Sequence, residues 1–202
     1  MRLLCLDTST ASVTVALVDD GIVVRAHDEA GFNRHGELLA PAVRAVLAGE
    51  RFDAVAVGLG PGPFTGLRAG IATAAALADA ADVGVYGACS LDLLAGPDVV
   101  VVQDARRKEV YWAAYDGEGA RTDGPHVDLP ADVPIAGRRA VGAGAALWPD
   151  VFGSAVDARL PHAAALWSLV ADRAVSGAPP DVLTPLYLRR PDAKTLVERG
   201  LA

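Results

Sequence analysis

Hydrophobic and polar positions change their spacing in an ordered way along the first hundred residues. Residues 3–7 (LLCLD) are a short apolar run ending in an acid, residues 12–18 (SVTVALV) a second run and residues 22–27 a third. Runs this short, bounded by turn residues, predict strands. Asp20 and Gly21 supply a tight turn between the second and third, so the chain opens as antiparallel hairpins. From 35 to 48 the period becomes helical. Leu38, Leu39, Ala42, Val43, Val46 and Leu47 share one face, Gly49 stops the helix, and Pro41 inside it predicts a kink or a first turn.

The next stretch, 53–81, organises the chain. An apolar strand (53–59, DAVAVGL) runs into a loop of glycine and proline (60–66, GPGPFTG) and then into an Ala-rich helix starting near Thr65, a candidate N-cap. Strand, glycine loop and helix start form the corner that binds anions in many α/β proteins. Two phosphate motifs fail here. A P-loop has four residues between its glycines followed by Gly-Lys-Ser/Thr, whereas Gly62 and Gly66 enclose three and Leu67 and Arg68 follow. The spacing of Gly58, Gly60, Gly62 and Gly66 does not give the dinucleotide fingerprint either. Along the helix, Gly66, Gly70, Ala74 and Ala78 recur every four residues, a stripe of small residues that lets another backbone approach, inside the chain or on a second protein.

Residues 84–88 (GVYGA) predict a further strand and 90–95 a capped helical turn. The order strand, strand, strand, helix, strand, helix, strand is that of one half of an actin-like fold. Residues 99–103 (VVVVQ) and the alternating segment 104–116 then restart the pattern with a hairpin that carries an acid at its turn, so Asp104 takes the place of Asp7. The expectation is an α/β protein of the actin-like, sugar-kinase-like and Hsp70-like fold, with two related subdomains built on mixed sheets and the second reduced. The boundary is expected between 1–103 and 104–202, with the C-terminal tail free to pack back on the first subdomain. Beyond residue 120 the signal thins: 121–137 is rich in Pro and Asp, 140–145 reads as a strand into a glycine turn, 161–176 as a helix, and 183–190 (LTPLYLRR) as an extended close before a polar tail.

Composition narrows the chemistry. The chain is 52% hydrophobic but 5% aromatic, so its core is built from Ala, Val and Leu. A net charge of −7 argues against a dominant nucleic-acid surface, and the basic groups at 106–108, 138–139 and 189–190 read as solvated patches. The N-terminus lacks the pattern of a signal peptide, which predicts a cytoplasmic location. Cys5 and Cys89 have no ligand spacing and read as small buried hydrophobes. His35 has Leu39 four residues on, so the H-x-x-x-H pair is missing and no metal is expected. Asp7, Thr8 and Ser9 fall at the first hairpin bend, where they could face a phosphate or simply satisfy their own turn.

Four segments together resemble one known family. The start LLCLDTSTASVTVAL, the run GLGPGPFTGLRAGIATAAALA, the hairpin VVQDARRKEVYWAAY and the ending TPLYLRR, in this order, resemble the TsaB (YeaZ) family from residue 3 to residue 190, with FTGLR the most specific part. The resemblance implies work in the machinery that attaches threonylcarbamoyl to the adenosine next to the anticodon of tRNAs reading codons that begin with A. It implies a non-catalytic subunit that docks on the paralogous transferase TsaD, with the ATPase TsaE in a ternary complex, tRNA met only indirectly, and a homodimer as a further state. No cofactor would be held tightly, though ATP or ADP could bind weakly at the junction with TsaD. Family members pair through the two helices of the first half. Leu38, Leu39, Val43, Leu67, Gly70 and Ala74 are therefore expected near that seam, Arg34, His35 and Arg68 at its polar rim, and Asp7, Thr8, Ser9 and Asp104 in a vestigial nucleotide cleft. The alternative is an enzyme, either an ATP-binding transferase or a metalloprotease-like protein. Against it stand the missing metal pair and the lack of a Ser, His, Asp spacing.

Overall fold

In the computed structural model, which describes residues 1–31, 34–153 and 156–189, the predicted hairpins form the first of two sheets. Strands β1 (Arg2–Asp7), β2 (Ser12–Asp19), β3 (Ile22–Ala30), β4 (Ala54–Gly58) and β5 (Gly84–Ala88) are arranged in the order β3-β2-β1-β4-β5. β1 is antiparallel to β2 and parallel to β4, and β5 is parallel to β4. Asp20 and Gly21 both take positive φ, 45° and 82°, the conformation that lets a two-residue turn follow the twist of its strands.

Helices α1 (His35–Leu47) and α2 (Phe64–Ala81) cover one face of this sheet, burying Leu4, Leu6, Val15, Leu17, Val55 and Val57. The α1 C-terminus is closed by Arg25, which donates to the Val46 carbonyl at 2.6 Å and brings a cation to the negative end of the helix. The other face carries Leu3, Cys5, Ala16, Val18, Ala54, Ala56 and Tyr86. With both faces covered, every β1 residue after Arg2 is buried, which is why the strand reads as a continuous apolar run rather than an alternation.

The second sheet repeats the first in outline. After a 3-10 turn (Ser90–Leu94) come β6 (Val99–Asp104), β7 (Val110–Tyr115), β8 (Arg121–Asp128) and β9 (Arg139–Val141), ordered β8-β7-β6-β9. β6 is antiparallel to β7 and parallel to β9, the relations β1 has to β2 and β4. Asp7 and Asp104 thus end equivalent strands. A short helix α3 (Pro149–Phe152) packs on the second sheet, and α4 (Leu166–Val175) returns to cover the open face of the first. The architecture is the expected α/β actin-like one, with a reduced second half.

Several boundaries differ from the reading of the sequence. A division at 103 falls at the end of β6, the strand around which the second sheet is built, so the change of half lies before Val99. Nor is 104–202 one body, because α4 belongs spatially to the first half. The segment 161–176 is a 3-10 turn (Ala163–Ala165) followed by α4. β8 occupies part of the stretch without signal, since RTDGPHVD is largely solvent-facing and is held by pairing to β7 and by Trp112 Nε1 donating to Asp128 at 2.8 Å. The N-cap of α2 is Pro63, with Thr65 exposed inside the first turn and no side-chain cap. The polar tail from Arg190 onward lies outside the described residues.

Candidate functional site

The bend after β1 presses into the glycine run between β4 and α2, and this contact explains the glycines. A Cβ at Gly58 would come within 3.0 Å of the Asp7 carboxylate, at Gly62 of the Ser9 carbonyl, and at Gly70 of the Thr8 hydroxyl. At Gly66 it would lie 2.5 Å from the Thr8 carbonyl. The small positions of loop and helix are therefore filled by the chain's own Asp7–Ser9 segment, and the backbone approach is internal.

The polar groups of this segment are used within the corner. Asp7 Oδ1 accepts from the Ser9 amide at 2.9 Å and the Ser9 hydroxyl at 2.6 Å, and Oδ2 accepts from the Ser90 hydroxyl at 2.5 Å. Ser90 is itself tied to Gly60 by two backbone contacts, its Oγ accepting from the Gly60 amide at 3.1 Å and its amide donating to the Gly60 carbonyl at 2.7 Å. Thr8 Oγ1 donates to the Gly66 carbonyl at 2.8 Å, and His35 Nε2 donates to the Thr10 carbonyl at 2.8 Å. Asp7 is 0% exposed. Burial pushes its carboxyl above the usual aspartate range, against a partial pull downward from the Ser9 and Ser90 hydrogen bonds and His35. Asp7, Thr8 and Ser9 are therefore not cleft residues, which corrects the expectation for them. The predicted cap on the 90–95 turn is likewise absent, because the Ser90 side chain is spent on Asp7.

A cleft of about 360 Å³ does lie beside this corner, between the two halves. Thr10, Phe64 and Thr65 line it from the first half, and Asp104, Arg106 and Tyr111 from the second. Asp104 is the one of the four predicted cleft residues that reaches it. Its Oδ1 accepts from the Arg106 amide at 2.8 Å, as Asp7 does from Ser9, and its Oδ2 lies 3.2 Å from Arg106 Nη1. Arg106, Arg107 and Arg189, taken from sequence as parts of solvated patches, also line the cleft. Arg106 and Arg107 arrive there because Arg106, Arg107 and Lys108 all take positive φ at the β6–β7 turn, a conformation that no glycine or Asn-Gly pair signals, and Arg189 arrives from the segment after α4 by donating to the Ala105 carbonyl.

The two helices sort their residues by face. Leu38, Leu39, Val43, Leu67, Gly70 and Ala74 all point inward, Ala74 at 0% exposure, so this inner set cannot form an outer seam. His35 is buried as well, while Arg34 is exposed and pairs with Glu37 at 3.2 Å. Arg68 is exposed but engaged: Nε donates to the Tyr187 hydroxyl at 2.9 Å, and the guanidinium lies over the rings of Phe64 and Tyr187. Exposed on the helix pair are Ala40, Pro41 and Ala45 on α1 and Ala72, Ala75 and Ala76 on α2, interleaved with the charged Glu37, Arg44, Arg68 and Asp79. Among the described residues there is no group of three or more His, Cys, Asp or Glu able to hold a metal ion, and no helix is long and apolar enough to cross a membrane.

A duplicated α/β fold with its first acidic turn closed by glycines and its helix pair facing outward defines an actin-like protein built around a sealed corner. Residues 28–137 match the family model described as TsaD: tRNA N6-adenosine threonylcarbamoyltransferase. The chain is 46% identical over 206 residues to an uncharacterized protein of Mycobacterium tuberculosis, covering 96% of this chain and 94% of that one. It is 33% identical over 174 residues to the tRNA threonylcarbamoyladenosine biosynthesis protein TsaB of Escherichia coli, covering 75% of each. The solved structure of YeaZ from Pseudomonas aeruginosa superimposes with a TM-score of 0.77 at 33% identity, over 93% of this chain and 99% of that one. The chain belongs to the TsaB (YeaZ) family.

Proposed function

We propose that this protein is a non-catalytic subunit of the cytoplasmic machinery that attaches threonylcarbamoyl to the adenosine next to the anticodon. Its role is to bind and support a TsaD-type transferase, with a TsaE-type ATPase joining the complex and tRNA reached through those partners. The observation that carries the non-catalytic part is the burial of Asp7. An acid that helps to hold a phosphate-bound cation has to reach it, and both oxygens of Asp7 are already hydrogen-bonded inside a corner closed by glycines. The docking part is supported by the outer face of α1 and α2. Its exposed alanines allow close helix-to-helix approach, with Glu37, Arg44, Arg68 and Asp79 among them as polar contacts for a partner. The same face serves a second copy of the chain in the absence of the transferase. The cleft leaves room for weakly held ATP or ADP shared with the partner.

The test is titration of a TsaD-type subunit into the wild-type chain and into the double variant Ala72→Glu, Ala76→Glu. Two carboxylates forced into a close seam weaken binding by tenfold or more, on the order of 1.4 kcal/mol or above, while exposed positions change monomer stability by no more than about 0.5 kcal/mol. Equal binding by both chains overturns the docking face. Micromolar affinity of the isolated chain for ATP and magnesium, with turnover, overturns the non-catalytic reading.

A further inference from the structure

Residues 181–189 have no regular secondary structure, yet they are tied down at both ends and in the middle. At the start, Asp181 adds itself to the edge strand β5: its amide donates to the Val85 carbonyl at 2.9 Å, and its carboxylate accepts from the Gly87 amide at 2.8 Å and from Arg173 at 2.7 Å. In the middle, the Leu186 amide donates to the Leu59 carbonyl at 2.8 Å. At the end, Arg189 crosses to the second half, donating to the Ala105 carbonyl at 2.6 Å and the Arg106 carbonyl at 3.2 Å and pairing with Glu109. The apolar side chains follow the same path, Leu183 packing on the first core and Leu186 and Leu188 on the second.

One tie in this segment reaches α2. The Tyr187 ring meets Phe64 edge-on at 4.8 Å, and its hydroxyl accepts from Arg68. Tyr187 is 39% exposed and Arg68 stands on the helix surface, so this junction is open to solvent while its neighbours Leu186 and Leu188 are packed against the second core. Phe64 lines the cleft, and the carbonyls gripped by Arg189 belong to the turn that forms the far wall.

We propose that residues 181–189 form a clasp that couples the surface of α2, through the Arg68–Tyr187 junction, to the β6–β7 turn across the cleft, so that freeing the junction loosens the far wall. The clasp acts within one chain and does not depend on a partner. Combined with the docking reading above, on which only this extension rests, it makes occupation of α2 felt in the cleft.

Amide exchange measured by NMR on the full isolated chain tests it. Arg68→Ala and Tyr187→Phe each remove the hydrogen bond, and Tyr187→Phe keeps the ring contact with Phe64. Val182→Ala, at a strap position 89% exposed, is the control. Arg68→Ala raises exchange about tenfold at the Leu186 amide and by a smaller factor, about threefold or more, at the Ala105 and Glu109 amides of the turn, with Tyr187→Phe intermediate and the control unchanged. The β1 and β2 amides stay protected. Exchange that rises at Leu186 but not in the turn overturns the coupling, as does no change at either place. A uniform rise that includes β1 in Arg68→Ala leaves Tyr187→Phe to decide on the same criterion. A partner that fails to bind α2 leaves the exchange result standing, so the two readings fail separately.

Discussion

Replacing Gly70 by Ala tests the sealed corner directly, because two effects of opposite sign compete there. In an exposed helix interior the change would stabilise by about 1 kcal/mol. Here the new methyl comes within 3.0 Å of Thr8 Oγ1, with Thr8 Cβ and Cγ2 at 3.4 Å, in a site where Thr8 and Gly70 are both buried. To make room the Thr8 hydroxyl must turn away and give up its 2.8 Å bond to the Gly66 carbonyl, which costs about 1 kcal/mol, and crowding adds roughly 1–3 kcal/mol. The net expectation is a loss of about 2 kcal/mol, a fall in Tm of roughly 4–8 °C for a chain of this size. Thr8→Ala alone loses about 1 kcal/mol with its hydrogen bond but removes the obstructing oxygen. The double variant Thr8→Ala, Gly70→Ala is therefore no less stable than Thr8→Ala, a favourable coupling of about 2 kcal/mol in a double-mutant cycle. Gly66→Ala is the contrast, since its methyl meets the Thr8 main-chain oxygen at 2.5 Å and Thr8→Ala brings no rescue. Thermal and urea unfolding of the five chains, wild type included, supply the comparison. A rise in Tm for Gly70→Ala, or strictly additive losses in the double variant, refutes the packing argument. Gly70, expected from sequence near a seam with a partner, is filled by Thr8 of its own chain.

Two further outcomes follow from buried groups. Asp7→Asn keeps the shape of the corner and removes the charge. Because burial holds the folded carboxyl above the usual aspartate range, the fold takes up a proton that the unfolded chain does not as pH falls toward that range, so wild type gains stability relative to Asp7→Asn across that window and the gap is flat at higher pH. Urea midpoints at about pH 7, 5 and 4 check the sign, and a gap that moves the other way overturns it. Burial pushes the Cys5 thiol up to about 12 and the Cys89 thiol up to about 11, the latter with help from the Asp92 carboxylate. Neither therefore labels with a thiol reagent at about pH 8 until the chain is unfolded, whereupon both do; a fast-reacting native thiol counts against the burial of its strand or turn.

Where local pattern and tertiary environment agree, the sequence was legible. The two opening hairpins, the turn at Asp20 and Gly21, α1, α2 and the restart at Val99 follow from periodicity and turn chemistry, and the structure has them within a residue or two except at the end of β3, which runs three residues beyond the expected 27 to Ala30. The inward and outward faces of α2 were not legible. Leu67, Ile71, Ala74 and Ala78 sit among alanines on every side, so the helix has little amphipathic contrast, and only the Asp7–Ser9 bend shows which small residues are needed. Asp104, which repeats Asp7 in the sequence, lines the cleft, whereas the places of Arg106, Arg107 and Arg189 there depend on a left-handed turn and on a strap that returns from 84 residues away in the chain and were not legible. β8 escaped because a solvent-facing strand of polar residues carries no period-two signal, and it forms through its pairing with β7.

The internal repeat gives the two acids different fates, and the difference bears on what this chain can do alone. Asp7 and Asp104 end equivalent strands, and each accepts a bond from the amide two residues on. In the first half the chain between β3 and β4 builds a 13-residue helix, and α2 follows β4, so two helices and a glycine seam close over the Asp7 bend. In the second half the chain between β8 and β9 makes only a three-residue 3-10 turn, the four-residue α3 is the helix on that sheet among the described residues, and Asp104 stays at the cleft. A ligand between the halves thus meets one carboxylate rather than two. In the first half the acid is spent on Ser9 and Ser90, and what the corner leaves exposed is the outside of the helices that seal it. The packing that presents the outer face of α1 and α2 is also the packing that buries Asp7.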